Sequence, residues 1–233
     1  MRLWRFTSTV ERQTAALGEA LGALLRAGDV LGLDGPLGAG KTTLTRSIAA
    51  GMGLDPRRVS SPTFVIVNEY TREPNEPPHE PRESGTAPAG GAGLAHVDAY
   101  RLSGPGELDA VDWDRLVDPA SGVAIVVEWA GRIEGALPPR RTGRIRIEPE
   151  GERTRRMEIL LPRPWAKRLP ATRLTELCGK PVDVTPCPIT GEPTPTDSPT
   201  WPFASQQARM ADLHRWFAGE YRLSREATED DPG

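Results

Sequence analysis

The sequence predicts an α/β fold of three layers, with a largely parallel central sheet and a C-terminal antiparallel hairpin. Three observations carry that expectation. Val30-Leu31-Gly32-Leu33 and Val123-Ala124-Ile125-Val126-Val127 are continuous apolar runs, the pattern of strands covered on both faces. A glycine-rich loop at 35–42 joins the first run to a helical stretch at 43–50, where Leu44 and Ile48 share a face. The segments 142–148 and 153–161 flank the turn Pro149-Glu150-Gly151-Glu152, as the arms of a closing hairpin do.

Taken in order, Leu3 to Phe6 reads as a short strand. Ser8-x-x-Glu11 then resembles a capping box that starts a helix with Leu17, Leu21 and Leu24 toward the core, and Gly28 is placed to stop it. The buried strand, the loop and the helix follow, and Gly51, Gly53 and Pro56 end that helix. Thr63 to Tyr70 is β-branched and aromatic, suited to a strand. Residues 71–93 are rich in proline and glycine with few large apolar groups, and read as an insertion that packs no core. A strand resumes near Ala95 to Ala99, then a loop and short helix from Glu107 to Val117. The expected domain is 1–162, and 163–233 is an extension, partly helical near 171–178 and 204–218 and partly disordered, with proline-rich tracts.

The chain has 233 residues and a formal net charge of -3. Residues 132–173 hold twelve Arg or Lys against five acids, +7, which leaves -10 elsewhere. Such asymmetry can steer a polyanion or an acidic protein surface, or can be the wet face of a hairpin. Strand alternation would put Arg144 and Arg146 on one face, Arg153 and Arg155 on one face, and Ile145 and Ile147 in the core. Two cysteines, Cys178 and Cys187, are too few for a disulfide framework, and the first residues have no long apolar run; a reduced, cytoplasmic protein is expected.

Gly35-Pro36-Leu37-Gly38-Ala39-Gly40-Lys41-Thr42 matches the phosphate-binding loop. Its glycines let several backbone N–H groups face one phosphate chain, Lys41 reaches the outer phosphates, and Thr42 offers a hydroxyl to Mg²⁺. The preceding strand and following helix place the motif in a P-loop NTPase-like fold. Hydrolysis additionally needs control of metal and water. Glu128 ends the central apolar strand beside the loop, Asp98 ends another strand with His96 on the same side, and Thr63 follows a Ser61-Pro62 turn. From the residues alone, Thr63 is equally an ordinary strand threonine, and Trp129 covers the phosphates or packs at a sheet edge. Arg101 neutralises phosphate or pairs with an acid.

The ordered set Gly35 to Thr43, Ser61-Pro62-Thr63-Phe64, His96-x-Asp98-x-Tyr100-Arg101-Leu102, Glu107 and Val127-Glu128-Trp129 resembles the bacterial TsaE family, also called YjeE, the ATPase of tRNA threonylcarbamoyladenosine biosynthesis. The resemblance covers about residues 6–160. It implies ATP and Mg²⁺ as cofactors, phosphate and metal contacts from Lys41 and Thr42, a switch-like Thr63, an acid needed for activity at Asp98, a magnesium-associated acid at Glu128 with Trp129 beside the nucleotide, and a further acid at Glu107. It also implies a partner, the TsaD–TsaB complex, through which tRNA is reached. Pro36 stands where the family often has an acid. A small-molecule or nucleoside kinase of the P-loop class is the main alternative, and nucleotide as a conformational ligand without rapid turnover is another. A GTPase is disfavoured because no Asn-Lys-x-Asp base-reading motif occurs.

Overall fold

A computed structural model describes residues 1–62, 66–72, 92–168 and 172–217. The chain divides into two compact units, Met1–Pro181 and Val182–Gly233. The first holds strands β1 (Arg2–Ser8), β2 (Val30–Asp34), β3 (Val67–Tyr70), β4 (Gly93–Asp98), β5 (Val123–Glu128), β6 (Thr142–Pro149) and β7 (Arg155–Leu161). Its helices are α1 (Glu11–Gly22), α2 (Lys41–Gly51), α3 (Trp113–Val117), α4 (Arg163–Ala166) and α5 (Thr172–Cys178).

Within this unit the strand order is β3-β4-β5-β2-β6-β7-β1. β4, β5, β2 and β6 run parallel, and antiparallel pairs flank them. The two apolar runs lie inside the sheet, with every residue of Val123–Glu128 buried. Successive side chains of a strand point to opposite faces. Leu31, Leu33 and Val126 therefore join one core with Leu17, Leu21, Leu44 and Ile48, while Val30, Ile125 and Val127 join the other with Trp113 and Leu116. This is the three-layer α/β architecture expected.

α1 rides on α2 through glycines. A Cβ on Gly22 would lie 2.1 Å from the Ile48 carbonyl oxygen, and one on Gly51 would lie 2.1 Å from that of Glu19. Only hydrogen fits at those points, so α1 fixes the height of α2 above the sheet and with it the loop before α2.

Several local expectations shift. Ser8 does not cap α1: pairing with Arg155 keeps it extended as the last residue of β1, where its hydroxyl lies 2.8 Å from that of Thr14. The helix begins at Glu11, and Gln13 Oε1 closes its end by accepting from the backbone N–H of Thr9 at 2.7 Å and of Val10 at 3.3 Å. α1 ends at Gly22 and not at Gly28, because Leu24 and Leu25 turn inward after it. Gly28, at φ 76°, instead leads into β2 and donates to the Val123 carbonyl at 2.8 Å. Of the strand expected at 63–70, Val67–Tyr70 forms, and 63–65 lie outside the described residues. Most of the insertion expected at 71–93, residues 73–91, also lies outside them.

The hairpin forms with Ile145 opposite Ile159 and Ile147 opposite Met157, all buried. Its outer face differs from the positive surface expected. Arg144 pairs with Glu134 at 2.9 Å, Arg146 with Glu148 at 3.0 Å, Arg156 with Glu148 and with Glu150 at 3.3 Å, and Arg5 with Glu158 at 3.8 Å. The charges alternate because cross-strand register sets Arg146 against Glu158 and Glu148 against Arg156. Arg153 precedes β7, and Arg155 turns toward the loop after β2.

The first unit runs through Pro181, past the boundary expected at 162, and Trp165 and Leu174 belong to its core. In the second unit β8 (Val182–Pro186) pairs antiparallel with β9 (Pro193–Pro195), and α6 spans Gln206–Phe217. The turn from β8 is closed by Cys187 N–H to the Glu192 carbonyl at 2.8 Å and Gly191 N–H to the Cys187 carbonyl at 2.9 Å. Residues 218–233 lie outside the described set. Among the described residues no helix is long and apolar enough to cross a membrane.

Candidate functional site

The loop after β2 owes its shape to three glycines at positive φ: Gly35 at 153°, Gly38 at 75° and Gly40 at 102°, conformations costly for any residue with a Cβ. At Gly35 space is also short, since a Cβ there would lie 2.4 Å from the Ile147 carbonyl oxygen. Arg155 braces the loop from β7: its Nε donates to the Ala39 carbonyl at 3.1 Å, and its Nη1 donates to the carbonyls of Gly151, Glu152 and Thr154. α2 then starts at Lys41, so its unsatisfied N–H groups and positive dipole end meet the loop.

Lys41 is 4% exposed. Its Nζ donates to the carbonyls of Gly35 at 2.8 Å and Pro36 at 3.0 Å and lies 3.9 Å from the centre of the Trp129 ring. Burial pushes the ammonium below its ordinary pKa, and the charges of Glu128, Asp98 and Asp34 oppose that shift. The Thr42 hydroxyl donates to Glu128 Oε1 at 2.8 Å, and His96 Nε2 lies 2.9 Å from the same oxygen. Glu128 is 4% exposed and His96 fully buried.

β4 and β5 set this up by register. Asp98 stands beside Glu128 and His96 beside Val126, so the imidazole reaches diagonally to a carboxylate two residues along on the same face. Asp98 Oδ1 accepts the Tyr100 N–H at 2.9 Å, and the Ser61 hydroxyl lies 3.5 Å from its Oδ2. Trp129 follows β5 at φ 60° and donates its N–H to the Leu33 carbonyl at 2.8 Å. Such a φ in a bulky residue is strained, and here it turns the indole under Lys41 and against Tyr100, ring centres 5.1 Å apart.

A cleft of about 720 Å³ gathers these groups: Lys41, Thr42, Thr43, Asp98, Glu128 and Trp129 line it, with Arg101 and Glu107 and with Leu37, Gly38 and Gly40 of the loop. Leu37 is 90% exposed at the loop's tip. Thr63 lies outside the described residues. Trp129 lines this cleft and also packs against the core of Val30, Ile125 and Val127. A second cleft of about 410 Å³ shares Gly40 and Thr43 with the first and opens between Ser8, Val10, Glu11, Arg153 and Met157. Sequence reasoning missed the bond from His96 to Glu128, although His96-x-Asp98 has the spacing of one strand face. It missed the Arg155 brace too, for which no local signal exists.

The donors of the main cleft that can face a cation are oxygens: the Thr42 hydroxyl and the carboxylates of Glu128 and Asp98. That set suits Mg²⁺, which takes one or two carboxylates and completes its shell with water and phosphate oxygens. Among the described residues no three His, Cys, Asp or Glu side chains cluster as metal ligands. Burial raises the Cys178 thiol to about 12. At Cys187 burial also raises the thiol, but hydrogen bonds from the Thr190 side chain and from the backbone of Thr190, Ala204 and Ile189 outweigh it and hold the group at about 7.

A buried strand, a glycine loop and a helix carrying Lys-Thr, beside a second parallel strand ending in an acid, define the P-loop class of α/β proteins. A family model described as "Threonylcarbamoyl adenosine biosynthesis protein TsaE" matches residues 8–157, and the chain belongs to this family. Proteins named tRNA threonylcarbamoyladenosine biosynthesis protein TsaE are similar to it. That of Streptomyces coelicolor is 44% identical over 51% of this chain and 68% of its own length; that of Mycobacterium leprae is 43% identical over 58% and 76%. The crystal structure of Bacillus subtilis YdiB superposes with a TM-score of 0.50 at 26% identity, covering 76% of this chain and 95% of that one. A second family model, described as "DNA gyrase inhibitor YacG", matches residues 185–233.

Proposed function

We propose that the first unit binds ATP with Mg²⁺ and hydrolyses it, and that this supports turnover of the TsaD–TsaB complex in tRNA threonylcarbamoyladenosine synthesis. The observation that carries the reading is the bond between Thr42 and Glu128 at 2.8 Å beside a buried Lys41. A hydroxyl that spends its hydrogen on a carboxylate keeps its lone pairs for a cation, and the ammonium stands one residue away at the start of α2.

The loop's N–H groups and the α2 N-terminus hold the phosphate chain, and Lys41 exchanges a carbonyl for an outer phosphate oxygen. Thr42 and Glu128 hold Mg²⁺, which neutralises charge on the phosphates when bound. Asp98, across the same cleft from Lys41, orients the attacking water. Trp129 walls the phosphate site and limits bulk water. The second cleft, continuous with the loop at Gly40 and Thr43, takes the nucleoside half.

Release of labelled phosphate with and without purified TsaD–TsaB tests this directly. Inorganic phosphate, stimulated by the partners and abolished by Lys41→Ala, is expected. Label appearing on an organic acceptor would assign the site to a kinase, and no partner effect would remove the pathway role.

The second unit supports a separate reading through its match to the DNA gyrase inhibitor model. In that reading it contacts DNA gyrase. Supercoiling by gyrase should be inhibited by the full chain and not by a chain ending at Pro181; equal inhibition by both would reject it.

A further inference from the structure

Resting on the metal-dependent reading of the main cleft, we propose that His96 is a positioning residue that holds Glu128 in its metal-binding orientation. The imidazole is fully buried in β4, and among the described residues its one polar contact is Nε2 to Glu128 Oε1 at 2.9 Å. Its other nitrogen, Nδ1, is buried and has no partner among the described residues. An unpaired buried polar atom costs on the order of 1–3 kcal/mol, which a leucine or phenylalanine at this position would not incur. As packing alone, the histidine is therefore a poor choice, and what it supplies is a donor aimed at one carboxylate oxygen.

That donor changes what Glu128 can do. Oε1 receives both Nε2–H and the Thr42 hydroxyl, so one oxygen of the carboxylate is held from two sides where Glu128 lines the cleft. Among the carboxylates around Lys41, Glu128 is the one whose charge acts on it most strongly. Without His96, the carboxylate is held by Thr42 alone and is free to swing onto Lys41, which would occupy both the phosphate and the metal groups at once. Partners of this kind behind metal ligands are worth about 10- to 100-fold in metal affinity.

The test is the Mg²⁺ concentration that half-saturates the tightening of ADP binding to the full chain, followed by calorimetry. His96→Phe, which keeps the ring and removes the donor, should raise that concentration about 10- to 100-fold and leave metal-free ADP affinity unchanged. His96→Gln, which restores an N–H donor, should recover part of the loss. A folded His96→Phe with wild-type Mg²⁺ dependence overturns the proposal, as does equal loss of ADP binding with and without metal. Wild-type protein that binds ADP identically with and without Mg²⁺ instead overturns the metal reading on which it rests. A measurement needing no variant accompanies these: the His96 Nε2–H nuclear resonance should move when Mg²⁺ joins the ADP complex and stay put with ADP alone. An unmoved signal also overturns it, whatever the stability of the variants.

Discussion

The main cleft and the outer face of the β6–β7 hairpin are two charged regions of the first unit, and they are built oppositely. The hairpin face carries Arg144, Arg146 and Arg156, joined by Arg5 of the neighbouring β1, each paired with a glutamate at least one-third exposed. The cleft carries few charges, but Lys41 and Glu128 are each 4% exposed and their partners are fixed by register. Coulomb energy depends on the surroundings as much as on the charges. The many exposed pairs contribute little, and the few buried groups set the behaviour of the site. Charge density along the sequence marks the hairpin, where the pairs are exposed, and not the cleft, where they are buried.

The largest expected effect comes from Lys41→Met, which should weaken ATP binding about 10- to 100-fold or more, since charge-assisted contacts to phosphate are among the strongest polar ones. The same variant should melt higher, because burial makes the folded state disfavour this charge. Its lowered pKa makes the charged form unfavourable at neutral pH, and the penalty is relieved as pH rises toward 10.5. The advantage of the variant should therefore narrow at high pH. Melting curves across pH check this, and an unchanged or lowered melting temperature would show that the two carbonyl bonds and the indole outweigh burial.

Within the cleft, Glu128→Gln should weaken Mg²⁺-dependent ADP binding about tenfold or more. Asp98→Asn keeps an oxygen for the Tyr100 N–H and should leave that binding near wild type while slowing hydrolysis. Parallel Mg²⁺ titrations and turnover assays separate the two acids; identical profiles would erase the distinction between a metal-holding Glu128 and a water-orienting Asp98.

On the hairpin face, Arg144→Glu with Arg146→Glu should cost about 1 kcal/mol or less in denaturant unfolding, diminishing with salt. Partner association should show only a shallow salt slope, since the arginines already have counter-charges. A steep slope lost in the double variant would restore the steering role.

The smallest effect belongs to the second unit. Thiolate absorbance of Cys187 should titrate near pH 7, while Cys178 stays protonated. Because the folded pKa is depressed, the associated stability is present above the unfolded value of 9.0 and is lost as pH falls through about 7. A Cys187 midpoint near 9 would break the hydrogen-bond account of its turn.

The sequence by itself determined the elements whose signal is local. Continuous apolar runs became interior strands because burial on both faces selects side chains one strand at a time, and the loop 35–42 was legible because three glycines and Lys-Thr carry its chemistry in eight consecutive residues. Asp98 and Glu128 were found at strand ends for the same reason. What only the tertiary structure decided involves residues distant in the chain. The pairing of His96 with Glu128 depends on the β4–β5 register, the Arg155 brace on a hairpin returning beside the loop, and the side of the sheet to which Trp129 turns on a strained φ. Ser8 was drawn from a helix cap into β1 by its pairing with Arg155, and the arginines lost their open field to glutamates placed opposite them. In each case a nonlocal pairing energy outweighed the local preference, and no window of neighbouring residues contains that term.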